Sequence, residues 1–290
     1  MAFEGETAAA FAQWSLELGE LYKAWTTTNR QFGGGSQPIS PAAQEDAVLA
    51  DAFPDLSKPE GTGAGFDAVQ MIDAAAQHLL GLKALVDSQT MALAPWPVAR
   101  AVGEHLAHAA WLLEPGITPQ ARMARRWMAR LAAAHRMRWV LSERKASSAV
   151  QRDAKKIREN LRWELEQRFP GADTQWDSPA TEPGWEVGGE PYPGLGKMFK
   201  AFSALEATGV TGYYSTLSLH SHPNIVAITS LCESIDHDGH RLIRYRVDTD
   251  DWGELVRSAT SLTYITARAV CDYLGYRNDD QLKCWLVRYR

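Results

Sequence analysis

The chain has 290 residues, 45% of them hydrophobic, and a formal net charge of −5. That is long for one compact domain and short for two, apolar enough for a real core, and too acidic for a general nucleic-acid binder. The three cysteines, Cys232, Cys271 and Cys284, are scattered with no Cys-x-x-Cys spacing, which excludes a disulfide framework or zinc knuckle and fits free thiols in a reducing compartment. No apolar run approaches the roughly 18 residues of a membrane span, and no basic leader opens the chain, so a soluble cytoplasmic protein with no membrane partner is expected.

The elements read as helix after helix. Residues 6–30 place Phe11, Trp14, Leu18, Leu21, Tyr22 and Trp25 at helical spacing before a stop at Gly33-Gly34-Gly35. Residues 32–41 form a loop, 42–52 a short helix at best, and 53–65, with two prolines and three glycines, a second flexible connection. Residues 1–65 are therefore expected as a helical arm with flexible loops, and 66–290 as the bundle domain. Within it, 66–93 is strongly periodic, Pro97–Glu114 forms the next helix, and 119–168 is helical with a break at Ser147-Ser148. Residues 170–196 form a long loop anchored by Trp176, Trp185 and Tyr192. Helices resume at 194–208 and 209–220, and Pro223-Asn224 caps another through Leu231. Asp238-Gly239 turns a β-hairpin between 231–235 and 241–247. A helix over 252–274 and a last turn or two after Asp279 complete an all-α bundle of about seven helices with one short hairpin.

Charge is unevenly placed along this pattern. Residues 1–70 hold ten acidic and three basic side chains, and residues 119–168 hold fourteen basic and five acidic ones. Either the acidic segment lies against the basic helix, or both are solvated faces, or the basic stretch is an RNA or phosphate surface. The eleven tryptophans fall mostly at core positions, with a stacking platform as the alternative.

Two stretches concentrate ionisable groups in apolar surroundings. On the helix 97–114, Arg100, Glu104 and His108 share a stripe at i, i+4 and i+8, with His105 one position over. The second, Tyr213 to Pro223, carries Tyr214, Ser218, His220 and His222. If the two helices pack together, these groups meet in one pocket: Arg100, Glu104, His105 and His222 as catalytic candidates, and His108, Tyr214, Ser218 and His220 as binding ones. A buried Arg100 would then depend on Glu104, whose loss would cost roughly 3–5 kcal/mol. His222 precedes Pro223, so a helix should end there, with the imidazole either aimed into a cavity as an acid/base group or capping the helix. His105-x-x-His108, His220-x-His222 and Glu104 together could offer a two-His-one-carboxylate metal set, but neither Glu-x-x-His nor His-Glu-x-x-His is present. A hydrogen-bonded polar cluster holding helices in register is the structural alternative. Ser218 one turn from His222 lacks a nucleophile elbow. No glycine-rich phosphate loop is present, so no nucleotide-binding claim follows, and the cofactor stays unknown from the sequence.

Arg100 with His105, and Arg130 with His135, repeat an Arg-x4-His spacing that resembles the active motif of HEPN-type ribonucleases. There two helical protomers bring Arg and His against an RNA phosphate. The residue after each arginine, Ala101 or Leu131, departs from that pattern, where a polar residue is usual. The segment 97–114, with its Trp-Leu-Leu-Glu-Pro ending, and Tyr214-Ser215-Thr216-Leu217-Ser218-Leu219-His220-Ser221-His222-Pro223 also resemble an uncharacterised helical family of actinobacteria, over about residues 66–275. The resemblance implies an all-helical, HEPN-like protein that binds or cleaves RNA, in stress or phage defence, with RNA and a second copy of the chain as partners. It singles out Arg100, Glu104, Tyr214, Ser218 and His222. The alternatives are a small-molecule enzyme using the His/Glu cluster as metal site or acid/base pair, and a non-catalytic interaction module.

Overall fold

A computed structural model describes residues 5–54, 59–89, 92–178, 181–205, 212–222, 224–238, 240–245, 248–277 and 279–289. Helix α1 (Gly5–Asn29) buries Phe11, Leu18, Leu21 and Trp25, seven, three and four residues apart, so that one stripe faces inward. A 3-10 turn (Arg30–Gly34) leads to α2 (Pro41–Ala52), where the Ser40 hydroxyl accepts from Ala43 N at 3.1 Å and proline occupies the first turn. Helices α3 (Glu60–Ser88), α4 (Pro95–Leu112), α5 (Pro119–Glu143) and α6 (Ser148–Arg168) follow. Thr118 and Ser147 cap α5 and α6, so the serine pair read as a break is the start of a new helix.

The long loop after α6 is pinned. Its buried Trp176 and Trp185 donate their indole N–H to Thr181 O (3.0 Å) and Gln175 O (2.8 Å). It also holds a small antiparallel pair not foreseen from sequence, β1 (Glu186–Val187) and β2 (Glu190–Pro191), turned by Gly188 and Gly189 at positive φ. The segment beyond is cut into short helices: α7 (Leu195–Met198), α8 (Ala201–Ala204), α9 (Tyr213–Ser221) and α10 (Ile225–Ser230). This fragmentation is why the molecule has more helices than the seven or so expected. The foreseen hairpin is β3 (Cys232–His237) with β4 (His240–Tyr245), closed beside Asp238 at φ +52°. Asp248 caps α11 (Thr249–Leu274), which ends at Gly275 in the left-handed region, and α12 (Asp280–Tyr289) follows.

Helix α3 packs against α1, α2, α4, α5 and α11, and α1 also touches α11 and α12. Trp285 of α12 donates to Glu17 O at 3.2 Å and stacks on Tyr264. The segment expected as an arm thus supplies Phe11, Leu18, Leu21, Trp25 and Leu49 to the same core as the later helices. Trp25 and Asn29 both donate to Asp73 of α3, at 2.7 and 2.6 Å.

The glycines at 61, 63 and 65, read as flexibility, lie in the first turns of α3. A Cβ at Gly61 would strike Ala42 O, one at Gly63 the Arg126 guanidinium, and one at Gly65 the Leu274 side chain. They are close-packing positions, and Glu60–Gly65 is helix. Residues 55–58 of the expected connection lie outside the described residues.

That tight approach brings the acidic side chains of α2 and α3 onto the arginines of α5. Glu60, its side chain 0% exposed, accepts from Arg126, from Trp127 Nε1 at 3.0 Å and from Arg168 Nε at 3.0 Å. Asp67 takes Arg126 Nε at 3.0 Å and both Nε and Nη2 of Arg130 at 2.7 and 2.6 Å. Glu45 takes Arg122 Nε at 3.0 Å and the Tyr273 hydroxyl at 2.7 Å. Much of the sequence's charge asymmetry is therefore spent in internal pairing. Removing Glu60 takes away the one acceptor shared by two buried guanidinium groups and the Trp127 N–H, leaving Arg126 only Asp67 and Arg168 only the partly exposed Glu164, so Glu60→Ala should lower unfolding free energy by roughly 3–5 kcal/mol in urea titrations. A loss below about 1 kcal/mol would show that water reaches the cluster.

Candidate functional site

Helix α4 presents Trp96, Arg100 and Glu104 on one stripe because they are four residues apart. Side chains lean toward a helix's N-terminus, so Arg100 reaches toward the end of α9, which crosses there. Its Nε donates to Glu104 at 2.7 Å, its Nη1 lies 2.5 Å from His222 Nε2, and its guanidinium sits 5.7 Å from the Tyr214 ring centroid. Arginine can only donate, so Nε2 of His222 is the acceptor. Helix α9 ends at Ser221, and His222 is extended (φ −98°, ψ 158°), its N–H returning to Ser218 O at 3.2 Å. Pro223 lies outside the described residues. Gly103 makes room for the Phe199 ring just after α7, which a Cβ would meet at 2.9 Å, while Leu217 of α9 would stay at an ordinary contact distance of 3.6 Å.

The expected constellation is thus partly assembled. Arg100, Glu104, Tyr214 and His222 come together. Ser218 lies half-buried one turn before His222. His220 stacks on Trp96 at 4.2 Å instead of joining Arg100, and burial lowers its pKa, against a raising effect of Asp251. His105 donates Nδ1 to Ala101 O at 2.7 Å and lies 5.2 Å from His78 of α3. His108 donates Nδ1 to Glu104 O at 3.0 Å; burial lowers its pKa, and Arg136 of α5 adds to the lowering. Among the described residues no three His, Cys, Asp or Glu side chains form a metal-binding group. The sequence reading missed Trp96. Its signal was there: it precedes Arg100 by one turn on the same stripe, bracketed by Pro95 and Pro97.

Both Arg-x4-His pairs separate. Five helical positions turn the side chain by roughly 140° net, so Arg100 faces α9 while His105 faces α3. Arg130 is held by Asp67, while His135 sits among Trp139, Trp176 and Trp185 at 5.7–5.8 Å.

The remaining arginines of α5 and α6 behave differently from the paired ones. Arg138, Arg158 and Arg162 crowd around His135, and Arg158 pairs only loosely, at 3.7 Å, with the exposed Glu159. Its Nε is buried without a hydrogen-bond partner. Among the described residues no carboxylate lies within ion-pair distance of Arg138 or Arg162. Trp163, next to Arg162, is 58% exposed.

The chain matches no protein family, and no curated protein or solved structure is similar to it. No helix among the described residues is long and apolar enough to cross a membrane.

Two measurements follow from this geometry. Arg100 and Glu104 keep 18% and 27% of their side chains exposed, and Arg100 retains His222 and Tyr214 without Glu104. Glu104→Ala should therefore cost about 1 kcal/mol or less, well under the cost expected for a fully buried pair; a loss above about 3 kcal/mol would mean the pair is desolvated. Burial, then the charges of Arg158, Arg138 and Arg162, push His135 from 6.5 down to about 4. Between those values the unfolded chain binds a proton that the folded chain refuses, so stability falls as pH falls through the window. His135→Gln should flatten the pH dependence of unfolding free energy there by up to one proton, and an unaltered slope would show that His135 titrates normally.

Proposed function

We propose that the protein binds single-stranded RNA along the α5–α6 hairpin. The observation that carries this reading is the arginine group Arg138, Arg158 and Arg162, crowded together without close acidic partners while their neighbours Arg122, Arg125, Arg126, Arg130 and Arg168 are all neutralised. Guanidinium groups held together against their own repulsion favour an anion that spans them, and a phosphodiester backbone offers one charge per nucleotide. The exposed Trp163 supplies a face on which a base can stack. Binding, and not cleavage, is what the geometry favours. A HEPN-like relation extends only to an all-helical protein associated with RNA, because neither Arg-x4-His pair acts as one unit. A labelled single-stranded RNA should bind with an affinity that falls with salt at a log–log slope of about −0.7 per phosphate contacted. The double variant Arg138→Ala/Arg162→Ala should weaken binding about tenfold or more and flatten that slope. Absence of binding at low salt, or binding indifferent to salt, would remove the proposal.

A second reading, acid/base chemistry on a small molecule in the α4–α9 groove, is favoured by the Arg100–His222 contact of 2.5 Å beside Glu104 and Tyr214. Here His222→Gln, which hydrogen-bonds but cannot titrate, keeps the fold and abolishes turnover of any substrate found. If His222 only caps α9, the variant keeps both.

A further inference from the structure

A cavity of about 690 Å³ opens between α2, the α4–α5 turn, α8, α11 and α12, away from both faces discussed above. Its size is that of pockets for small organic ligands. Its lining includes the apolar Leu113, Ile117, Leu205, Ile265 and Leu286, together with Glu45, Asp272 and Tyr273. It also carries two guanidinium groups, Arg122 and Arg268, whose situations differ. Arg122 is saturated: Nε reaches Glu45 at 3.0 Å, and its two terminal nitrogens reach Leu112 O and, at 3.1 Å, Glu114 O. Arg268 is not. Its Nε lies 2.8 Å from Asp279 but out of line for a hydrogen bond, its Nη1 meets the Tyr264 hydroxyl at a long 3.3 Å, and its Nη2 is 3.8 Å from Asp272. A third of the Arg268 side chain is exposed.

The charge around Arg268 selects its partner. Asp279, almost fully buried, is shared by Arg268 and by Lys283 at 2.6 Å, so the three groups carry one positive charge in excess. Asp272, 71% exposed and 3.8 Å away, closes that excess only weakly and can swing into water. A single carboxylate presents two oxygens to the weakly engaged terminal nitrogens Nη1 and Nη2 and to the Tyr264 hydroxyl, while Nε stays buried beside Asp279. Counted the same way, with Asp272 turned into water, a doubly charged phosphate would leave one negative charge too many beside Asp279.

We infer that this cavity binds a monocarboxylate with an apolar body, its carboxylate on Arg268 and Tyr264 and its chain along Ile265, Leu205 and Leu286. Decanoate, decanol and decyltrimethylammonium are suitable probes, titrated calorimetrically into the full chain below their micelle concentrations. Decanoate should saturate at one site per chain and bind at least tenfold more tightly than the alcohol or the ammonium. Arg268→Gln should reduce decanoate to the affinity of decanol, and Ile265→Trp should exclude both by filling the cavity. Circular dichroism checks that each variant keeps the helical fold. Arg268→Lys, which keeps the charge next to Asp279, replaces the glutamine variant if that one unfolds, and should lose at least threefold in affinity because the fork is gone. Decanoate binding no tighter than decanol, no saturable binding, or binding unaffected by the Arg268 variants would overturn the inference. Because the RNA face is separate, Arg138→Ala/Arg162→Ala should leave decanoate binding unchanged, so the two proposals fail independently.

Discussion

The fold depends on one buried carboxylate. Glu60 begins α3 with none of its side chain exposed, and Arg126 of α5, Trp127 of α5 and Arg168 of α6 all converge on it. Desolvating these charges is expensive, and the attraction offsets that cost only when every lone pair and N–H is used. Here most are: Arg168 also bonds Glu164 and lies 4.3 Å over the Trp127 ring, while Arg126 continues to Asp67, which holds Arg130. Such an arrangement has few near-equivalent alternatives. It fixes the rotation of α5 about its own axis, and hence which arginines are consumed inside and which remain on the outer face.

Much of this was legible in the sequence, and the limits have physical causes. Helices α1, α3, α4 and α11 announce themselves by apolar spacing, and the β3–β4 hairpin by Asp238-Gly239. The acidic start and the basic middle of the chain suggested mutual contact as one option, and the pairs of Arg122, Arg126 and Arg130 with Glu45, Glu60 and Asp67 supply it. Glycine, in contrast, carries two messages that look alike in sequence: freedom to bend, and permission for another chain segment to approach. At Gly61, Gly63 and Gly65 the second holds, and only the positions of Ala42, Arg126 and Leu274 reveal it. The paired glycines at 188–189 carry the first, at positive φ, in a turn too short to have shown alternation.

The candidate site was legible where it followed helical geometry and obscure where it did not. Arg100 and Glu104 share a stripe by arithmetic, and a polar pair amid alanines, valine and leucine signalled a contact with another element. Which tyrosine meets Arg100 needed the structure: Tyr214 does, while Tyr213 is buried near Glu254, which, after burial, helps raise its pKa. The histidines look alike in sequence but go to three places, His222 to Arg100, His220 to Trp96, and His105 to His78. Their helix faces differ by fractions of a turn, and small differences in rotation decide the neighbour.

Helix α12 covers α1 from the far end of the described chain, through Trp285 on Glu17 and Arg288 near Glu20 at 3.5 Å. Contacts separated by 268 residues in sequence form only after nearly everything between them exists. During synthesis, the part of α1 that Trp285 covers therefore stays open to water, and to other nascent chains, until residue 285 has been made and has left the ribosome. The α1–α3 contacts, by comparison, are available within the first ninety residues. The contacts around α3 can thus form early and the α12 seal only late, which leaves an interval in which apolar surface of α1 is open to association.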